Sequence, residues 1–400
     1  MMNGNVEVVV VGGGYGGVMA ANRLARHDGV SVTLVNRRPD FVERIRLHQL
    51  VTGSDDAVEG FGEVLGGNVR LVVDAVTRID AAGRRVSLAG GGAVSYDYLV
   101  YAVGSGAADP GVPGAAEFAH AVSDLEGAER LRSALAAASA TAPVTVVGAG
   151  PTGIETAAEL AELGRKVTLV CGDVLGPYLH AQGRRPVARR LAELGVTVLQ
   201  GPRARVTEVT RDAVRLGDGR ELPSAVTIWT AGFRVPDLAA RSGLRTDADG
   251  RLLTDATLTS VGDERIVAAG DAAAMIDRPF RMSCQAAVQL GAGAAATILR
   301  RIAGRTPAPV RLLFAGQCIS LGRNGGVTQF SYLNDKVNPL HISGRLGAKV
   351  KEFACRFPLD QLRSGARKAG SRASHGDGTT RPEPPQPEHR TTPSDTRRAA

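Results

Sequence analysis

Cysteine is scarce in this chain of 400 residues. The four cysteines, Cys171, Cys284, Cys318 and Cys355, stand far apart, and no two of them form a CxxC pair or another spacing typical of metal ligands. We therefore expect neither a disulfide scaffold nor a zinc site, and no metal-binding residue is predicted.

Long apolar runs are also missing. No stretch approaches the ~20 apolar residues of a membrane-spanning helix, and the amino terminus lacks the basic segment, apolar core and cleavage site of a secretory signal. These absences predict a cytoplasmic location. Apolar residues still make up 44% of the chain, which is enough to form sizeable cores in two or three domains.

Basic charge is weak over most of the chain. The formal net charge is +8, but residues 341–400 hold twelve Lys/Arg against six Asp/Glu, which leaves +2 for the first 340 residues. A nucleic-acid-binding protein would carry a basic face on its folded domains, so no nucleic-acid partner is predicted. Residues 366–400 are poor in large apolar side chains and are expected to form a disordered basic tail.

Glycine is abundant, with 50 residues, and it forms two GxGxxG fingerprints that begin 136 residues apart, Gly12–Gly17 and Gly148–Gly153. Each follows a run of valines and precedes a stretch with helical spacing. In such a turn the first glycine permits the tight bend, the second lets the backbone approach a pyrophosphate, and the third lets helix and strand pack closely. The helix N-terminus then faces the phosphates. We predict an α/β fold with two Rossmann-like domains, and the expected dinucleotide contacts are Gly12, Gly14, Tyr15, Gly16, Gly17, Gly148, Gly150, Pro151, Thr152 and Gly153.

The second strand of each unit ends where an acid normally accepts hydrogen bonds from the ribose. After the predicted strand Ser31–Val35 the residue is Asn36, which can accept a hydrogen bond but carries no charge. After Val167–Val170 it is Cys171, so the acid is missing altogether. The choice between NADH and NADPH stays open.

Two arginines follow Cys171 at a distance. Arg184 and Arg185 either reach a 2′-phosphate or are solvated residues near the start of a predicted helix, Val187–Leu194.

Three more strands end in glycine turns where backbone can approach a ligand. Tyr96–Tyr101 precedes Gly104, Ala225–Thr230 precedes Gly232, and Arg265–Ala269 precedes Gly270-Asp271 and a helix-like stretch, Ala272–Met275. Further predicted cofactor contacts are Arg37, Ala75, Val76, Ala102, Gly104, Ala231, Gly232, Gly270 and Asp271.

The predicted boundaries are 1–112 and 251–306 for the first dinucleotide-binding domain, 113–250 for the second domain inserted into it, and 307–365 for a small C-terminal segment.

With these motifs in this order, the chain resembles the two-dinucleotide-binding-domain flavoproteins of the pyridine nucleotide-disulfide reductase superfamily over roughly residues 6–357. Within them it is most similar to type II NADH dehydrogenases, the single-chain NADH:quinone reductases. The resemblance implies FAD on the first fingerprint and NAD(P)H on the second. It also places Asp271 at the FAD ribitol and pyrophosphate.

The resemblance assigns further residues. Cys284–Gly291 is similar to the family's AQxAxQxG stretch, whose helix N-terminus points toward the flavin, and this places Gln285 and Ala286 at the cofactor. Gln285 and Gln289 share a helix face and could donate to a quinone carbonyl, or Gln289 only packs. Glu155 matches a glutamate near the nicotinamide and flavin, or it is a first-turn acid that favours the helix N-terminus. Glu155, Gln285 and Gln289 are the predicted catalytic residues.

One region departs from the disulfide reductases. Residues 40–50 hold no cysteine where those enzymes carry a CxxxxC pair, which argues against dithiol chemistry. Sulfide:quinone reductases need cysteines near the flavin, and the four here are not spaced like theirs. The cations of Arg44–His48 have three alternative roles: they bind the FAD phosphates, they line the acceptor site, or they form a solvated helix face. Arg44 is a predicted cofactor contact.

The predicted function is transfer of hydride from NAD(P)H through FAD to a quinone-like acceptor. A soluble reductase of a redox protein, and a flavin redox sensor resembling apoptosis-inducing factor, remain alternatives. A homodimer is left open.

A basic amphipathic helix is predicted at Gly344–Phe357, ended by Pro358. Leu346, Val350, Phe353 and Phe357 share one face, and Arg345, Lys349, Lys351 and Arg356 surround the other. The helix either binds an anionic membrane surface at the inner face of the cell membrane or packs its apolar face on the flavin domain.

Overall fold

The valine run before the first fingerprint, Val6–Val11 (β1), lies inside an eight-stranded sheet of the computed structural model, which describes residues 5–373. β-branched residues suit a parallel strand that is covered on both faces. The sheet takes strands from two separate parts of the chain. Its order is Ala273–Met275 (β23), Leu252–Thr254 (β20), Thr259–Ser260 (β21), Asp263–Ala268 (β22), Tyr98–Tyr101 (β9), β1, Val30–Asn36 (β2) and Val69–Val73 (β5), with strands numbered in chain order.

A second, five-stranded parallel sheet holds the valine run before the second fingerprint. Its order is Ala119–Ala121 (β11), Val226–Trp229 (β18), Pro143–Val147 (β12), Lys166–Val170 (β13) and Thr197–Leu199 (β14). These strands lie in the chain between β9 and β20 of the first sheet. The predicted insertion of one Rossmann-like domain into the other is therefore confirmed.

Antiparallel sheets complete the fold. They are Asp40–Val42 (β3) with Val58–Gly60 (β4); Val76–Asp80 (β6), Arg85–Leu88 (β7) and Ala93–Ser95 (β8); Gly106–Ala107 (β10) with Phe233–Arg234 (β19); Val206–Val209 (β15), Ala213–Leu216 (β16) and Glu221–Pro223 (β17); and Gly316–Ser320 (β24), Gly326–Ser331 (β25) and Val337–Ser343 (β26).

Helices connect the strands. They are Tyr15–Leu24 (α1), Leu47–Thr52 (α2), Phe61–Val64 (α3), Ala115–Phe118 (α4), Leu125–Ala137 (α5), Pro151–Glu162 (α6), Ala181–Glu193 (α7), Leu238–Arg241 (α8), Cys284–Ile302 (α9) and Gly344–Ala373 (α10), with 3₁₀ turns at Arg44–Arg46, Pro202–Ala204 and Gly270–Ala272. Every helix within residues 5–373 falls short of the combined length and apolar character that a membrane crossing requires.

Two local predictions were wrong. The alanine-rich stretch Ala272–Met275 is not a helix, because Ala273–Met275 pairs in parallel with β20 and tertiary pairing overrides helix propensity. Helix α7 begins at Ala181 rather than Val187 and continues through Pro186, so Arg184 and Arg185 are helical residues.

The C-terminal helix differs most from its prediction. It does not end at Pro358 but runs unbroken to Ala373. A proline inside a helix removes one backbone hydrogen bond, but Leu359 and Leu362 beyond it are buried in the core of the first domain, which offsets that loss. Residues 366–373 of the expected tail are therefore helical, and the rest of that tail lies outside the described residues.

Candidate active site

The first glycine turn packs so closely that side chains are excluded at two of the three glycines of its GxGxxG pattern. Gly12 has φ +103°, and a Cβ there would lie 2.3 Å from the carbonyl oxygen of Ala102. A Cβ on Gly17 would lie 1.9 Å from the Gly12 carbonyl oxygen. Gly14 faces open space. The first and third glycines therefore serve packing, and the second leaves room for a phosphate.

The second turn divides its glycines in the same way. A Cβ on Gly148 would lie 2.4 Å from Thr230 Oγ1, and one on Gly153 would lie 2.0 Å from the Gly148 carbonyl oxygen. Gly150 faces open space, directly before Pro151 at the start of α6. A cleft at this turn is lined by residues that include Thr152, Ala231 and Gly232.

Asn36 closes the first turn from the side. Its Oδ1 accepts a hydrogen bond from the Gly13 N–H at 3.0 Å, which leaves one lone pair for a ligand. Ala75 and Val76 come just after β5, where the Asp74 N–H donates to the Asn36 carbonyl oxygen. Arg37 has a side chain that is 58% exposed. The cofactor roles of these residues stay predictions.

Asp271 lies in a polar network with an unfilled acceptor. Its Oδ2 accepts from Ser105 Oγ at 2.8 Å and lies 3.5 Å from an Arg44 nitrogen, while Arg44 Nε donates to the Ser123 carbonyl oxygen. Oδ1 is buried without a hydrogen-bond partner among the described residues. A buried acceptor of this kind fits a ligand hydroxyl. Sequence analysis missed Ser105, although the turn at Gly104 pointed to it.

The cations at Arg44–His48 do not form a solvated helix face, and that alternative was wrong. Arg46 is 6% exposed and His48 is 3% exposed. Arg46 contacts Glu352 at 2.9 Å and Glu43 at 3.6 Å, which ties the first domain to α10. Burial raises the pKa of Glu43 to about 7, even though the neighbouring Arg46 opposes this.

Helix α9 starts beside α1 and is capped by Ser283, whose hydroxyl accepts from the Ala286 N–H at 3.2 Å. Gln289 exchanges two hydrogen bonds of 2.9 Å with the backbone of Leu313. Gln285 Nε2 lies 3.5 Å from the same carbonyl oxygen. These contacts support the packing alternative for Gln289, and the role of Gln285 stays a prediction.

Glu155 joins three parts of the chain. It is 4% exposed and stands in the second turn of α6, so its interpretation as a first-turn acid was wrong. Lys351 Nζ of α10 lies 2.8 Å from Glu155 Oε1, which also accepts from the Ser320 N–H. Burial lowers the pKa of Lys351, but the Glu155 carboxylate outweighs this and raises it, so the ammonium group stays charged. The sequence had predicted Lys351 among the solvent-facing cations of the helix, and that prediction was wrong.

A second acid, missed by the sequence analysis, extends this cluster. His48 lies between Glu155 Oε2 at 3.8 Å and Glu159 Oε1 at 3.4 Å. Burial raises the pKa of Glu159, but its contacts with His48, Arg323 and Thr52 lower it to about 2. The i, i+4 spacing of Glu155 and Glu159 on one helix face was the available signal.

Three cysteines lie near Lys351. Its charge lowers the thiol pKa of Cys284, Cys318 and Cys355, but burial dominates and raises that of Cys284 to about 11. Reactive cysteines need a lowered pKa, so this arrangement does not favour thiol chemistry.

The chain is similar to several known oxidoreductases. Residues 6–291 match the pyridine nucleotide-disulphide oxidoreductase family. The chain is 33% identical to an NADH dehydrogenase-like protein of Mycobacterium tuberculosis over 80% of this chain and 87% of that protein. It is 31% identical to the type II NADH:quinone oxidoreductase of the same organism over 84% and 81% of the two chains. Among solved structures, the sulfide:quinone oxidoreductase of Aquifex aeolicus shares the fold with a TM-score of 0.77 at 21% identity, over 90% of this chain and 92% of that one.

Proposed function

The chain belongs to the pyridine nucleotide-disulphide oxidoreductase family and is an FAD- and NAD(P)H-dependent oxidoreductase, and we propose that it passes the electrons of NAD(P)H to a quinone-like acceptor. Its relatives include proteins named for NADH:quinone and demethylphylloquinone reduction. The observation that carries the proposal is the buried Lys351–Glu155 pair near the N-terminus of α9.

Each part of the site has a distinct task in this proposal. Gly14 and Asp271 hold FAD, and Gly150 with the N-terminus of α6 holds the nicotinamide nucleotide. Bound FAD supplies the hydride and electron transfer chemistry. The α9 N-terminus stabilises negative charge that develops beside it. Lys351 donates a hydrogen bond to an acceptor carbonyl, and Glu155 holds the ammonium group in place.

The test separates the two halves of the reaction. We expect Lys351→Met to lower the rate of quinone-dependent NAD(P)H oxidation by about tenfold or more. Anaerobic reduction of the flavin by NAD(P)H should persist, and Lys351→Arg should recover part of the quinone activity. A wild-type protein that reduces a ferredoxin but no quinone would refute the acceptor assignment.

The outer face of α10 supports a second proposal, that the protein attaches to an anionic membrane at its cytoplasmic side. Leu346, Phe353 and Phe357 are 59%, 67% and 50% exposed, and the two phenylalanine rings lie 5.9 Å apart. The exposed cations Arg345, Lys349 and Arg356 flank them. The apolar face therefore does not pack on the flavin domain, because the opposite face of the helix does. Exposed apolar residues with flanking cations suit a lipid surface, where a quinone would be met.

Liposome binding tests this attachment. Because α10 is also part of the core, substitution is a cleaner test than truncation. Phe353→Ser with Phe357→Ser should abolish salt-sensitive binding to anionic liposomes while flavin content stays unchanged. Leu163→Ser, at an apolar position 62% exposed just after α6, is the control. Wild-type protein that ignores such liposomes at low salt would show that attachment is wrong.

A further inference from the structure

The loops that follow β13 and β14, two neighbouring strands of the second domain, are joined by hydrogen bonds beside the predicted ribose position. β13 ends at Val170 and β14 ends at Leu199, and the N–H of Cys171, the residue after β13, donates to the Leu199 carbonyl oxygen at 2.8 Å. Beyond the strands, the Gly201 N–H donates to the Asp173 carbonyl oxygen at 2.7 Å. In a Rossmann domain the adenosine ribose lies past the end of the second strand. The chain that follows β14 is therefore its neighbour.

That chain carries an exposed arginine. Arg205 follows the 3₁₀ turn Pro202–Ala204, and its Cγ lies 3.9 Å from the place where a Cβ of Gly172 would stand. Gly172 has φ +74° and no side chain, so the aliphatic part of the Arg205 side chain lies next to its backbone. Within residues 5–373, no carboxylate makes an ion pair with Arg205, including the nearby Asp173.

The sequence analysis named two arginines for this role, Arg184 and Arg185. Arg185 is exposed in α7, and Arg184 is engaged elsewhere. Arg184 Nε donates to the Gly176 carbonyl oxygen at 3.1 Å. Cys171 is half-buried, and burial raises the pKa of its thiol to about 12, so this position carries no charge at neutral pH. Nothing at position 171 therefore repels a phosphate, and Arg205 is an exposed cation beside the next residue, Gly172.

We infer that Arg205 binds the 2′-phosphate of NADPH at the end of β13, so that the protein uses NADPH in preference to NADH. The inference rests on the proposed function, since it assigns the nucleotide of that same site. A guanidinium group binds phosphate through paired N–H donors, and an uncharged neighbour at position 171 lets the phosphate approach.

Binding of two nucleotide fragments tests this without any acceptor. Adenosine 2′,5′-bisphosphate should bind the flavin-loaded protein about tenfold or more tightly than 5′-AMP in calorimetry, because the two differ only in the 2′-phosphate. Arg205→Gln should remove most of that advantage. Arg203→Gln, at an exposed arginine in the same loop, should leave it in place.

Flavin reduction supplies the second measurement. Arg205→Gln should lower kcat/KM for NADPH about tenfold while kcat/KM for NADH stays within about twofold of wild type. Cys171→Glu should shift the preference toward NADH by about tenfold or more, since a carboxylate repels the phosphate. Equal binding of the two fragments by wild type, or equal effects of the two arginine variants, would overturn the inference. Failure of the quinone assay alone would refute the acceptor and leave this result unaffected.

Discussion

Asp271 shows how one buried atom defines a ligand contact. Since Oδ1 has no partner among residues 5–373, we expect Asp271→Ala to lose flavin readily. A hydrogen bond to a charged group contributes about 1.5–3 kcal/mol, so the FAD dissociation constant should rise about tenfold or more. Flavin absorbance per protein after gel filtration measures this. Asp277→Ala, at an exposed acid nearby, should retain its flavin. Equal retention in both variants would show that Asp271 does not contact FAD.

Glu43 should make stability depend on pH. In the folded protein the pKa of Glu43 is about 7, which is above its ordinary value of about 4.5. Between these two pH values Glu43 ionises in the unfolded chain but stays protonated in the folded protein. The folded protein therefore loses stability as pH rises from about 4.5 to 7. Glu43→Gln removes this penalty. The variant should be as stable as wild type near pH 4 and more stable by about 2–3 kcal/mol above pH 7. Denaturant unfolding at both pH values checks this; an equal gain at both would exclude ionisation of Glu43 as the cause.

At the level of the elements, α1 and α9 cross in direct backbone contact. A Cβ on Gly291 would lie 2.1 Å from the Gly16 carbonyl oxygen, and a Cβ on Gly16 would lie 3.2 Å from the Gly270 nitrogen. The crossing therefore sets the distance between the first fingerprint and the Gly270-Asp271 turn.

Gly291→Ala should separate these two helices. We expect the free energy of unfolding to fall by about 1–3 kcal/mol, as in overpacked cores, together with weaker flavin binding. Gly370→Ala is the control, because a Cβ there meets no atom within 4 Å. Because alanine is the better helix former, Gly370→Ala should instead raise the free energy of unfolding, by about 1 kcal/mol at most. A Gly291→Ala protein with unchanged melting temperature would mean that the crossing relaxes without strain.

On the scale of the whole molecule, one buried cluster joins all three parts of the chain. His48 comes from the first domain, Glu155 from the inserted domain and Lys351 from α10. Removing one partner of a buried pair leaves the other charge unpaired, which costs about 3–5 kcal/mol.

Lys351→Met should therefore lower the free energy of unfolding by that amount, and Glu155→Gln in the same protein should restore part of it. A double-mutant cycle from chemical denaturation measures the coupling between the two residues. Additive effects would show that the pair does not act as a unit.

The sequence by itself determined the local features. β1 and β12 form at the valine runs that precede the two fingerprints, because strands buried in parallel sheets are continuous apolar segments. The two fingerprints form the expected turns, since glycine alone tolerates their positive φ and close backbone contacts.

Only the tertiary structure decided which residues meet. Ala273–Met275 forms a strand because it pairs with β20, and α10 continues past Pro358 because Leu359 and Leu362 beyond it are buried in the core. Lys351 points inward because of the way α10 packs on the core, although helical spacing alone predicts it among the outer cations. His48, Glu155 and Lys351 lie more than 100 residues apart in the chain, and no local pattern specifies contacts over such separations. Their contacts depend on how the first domain, the inserted domain and α10 pack together, which is why the sequence predicted the cofactor turns but not the cluster.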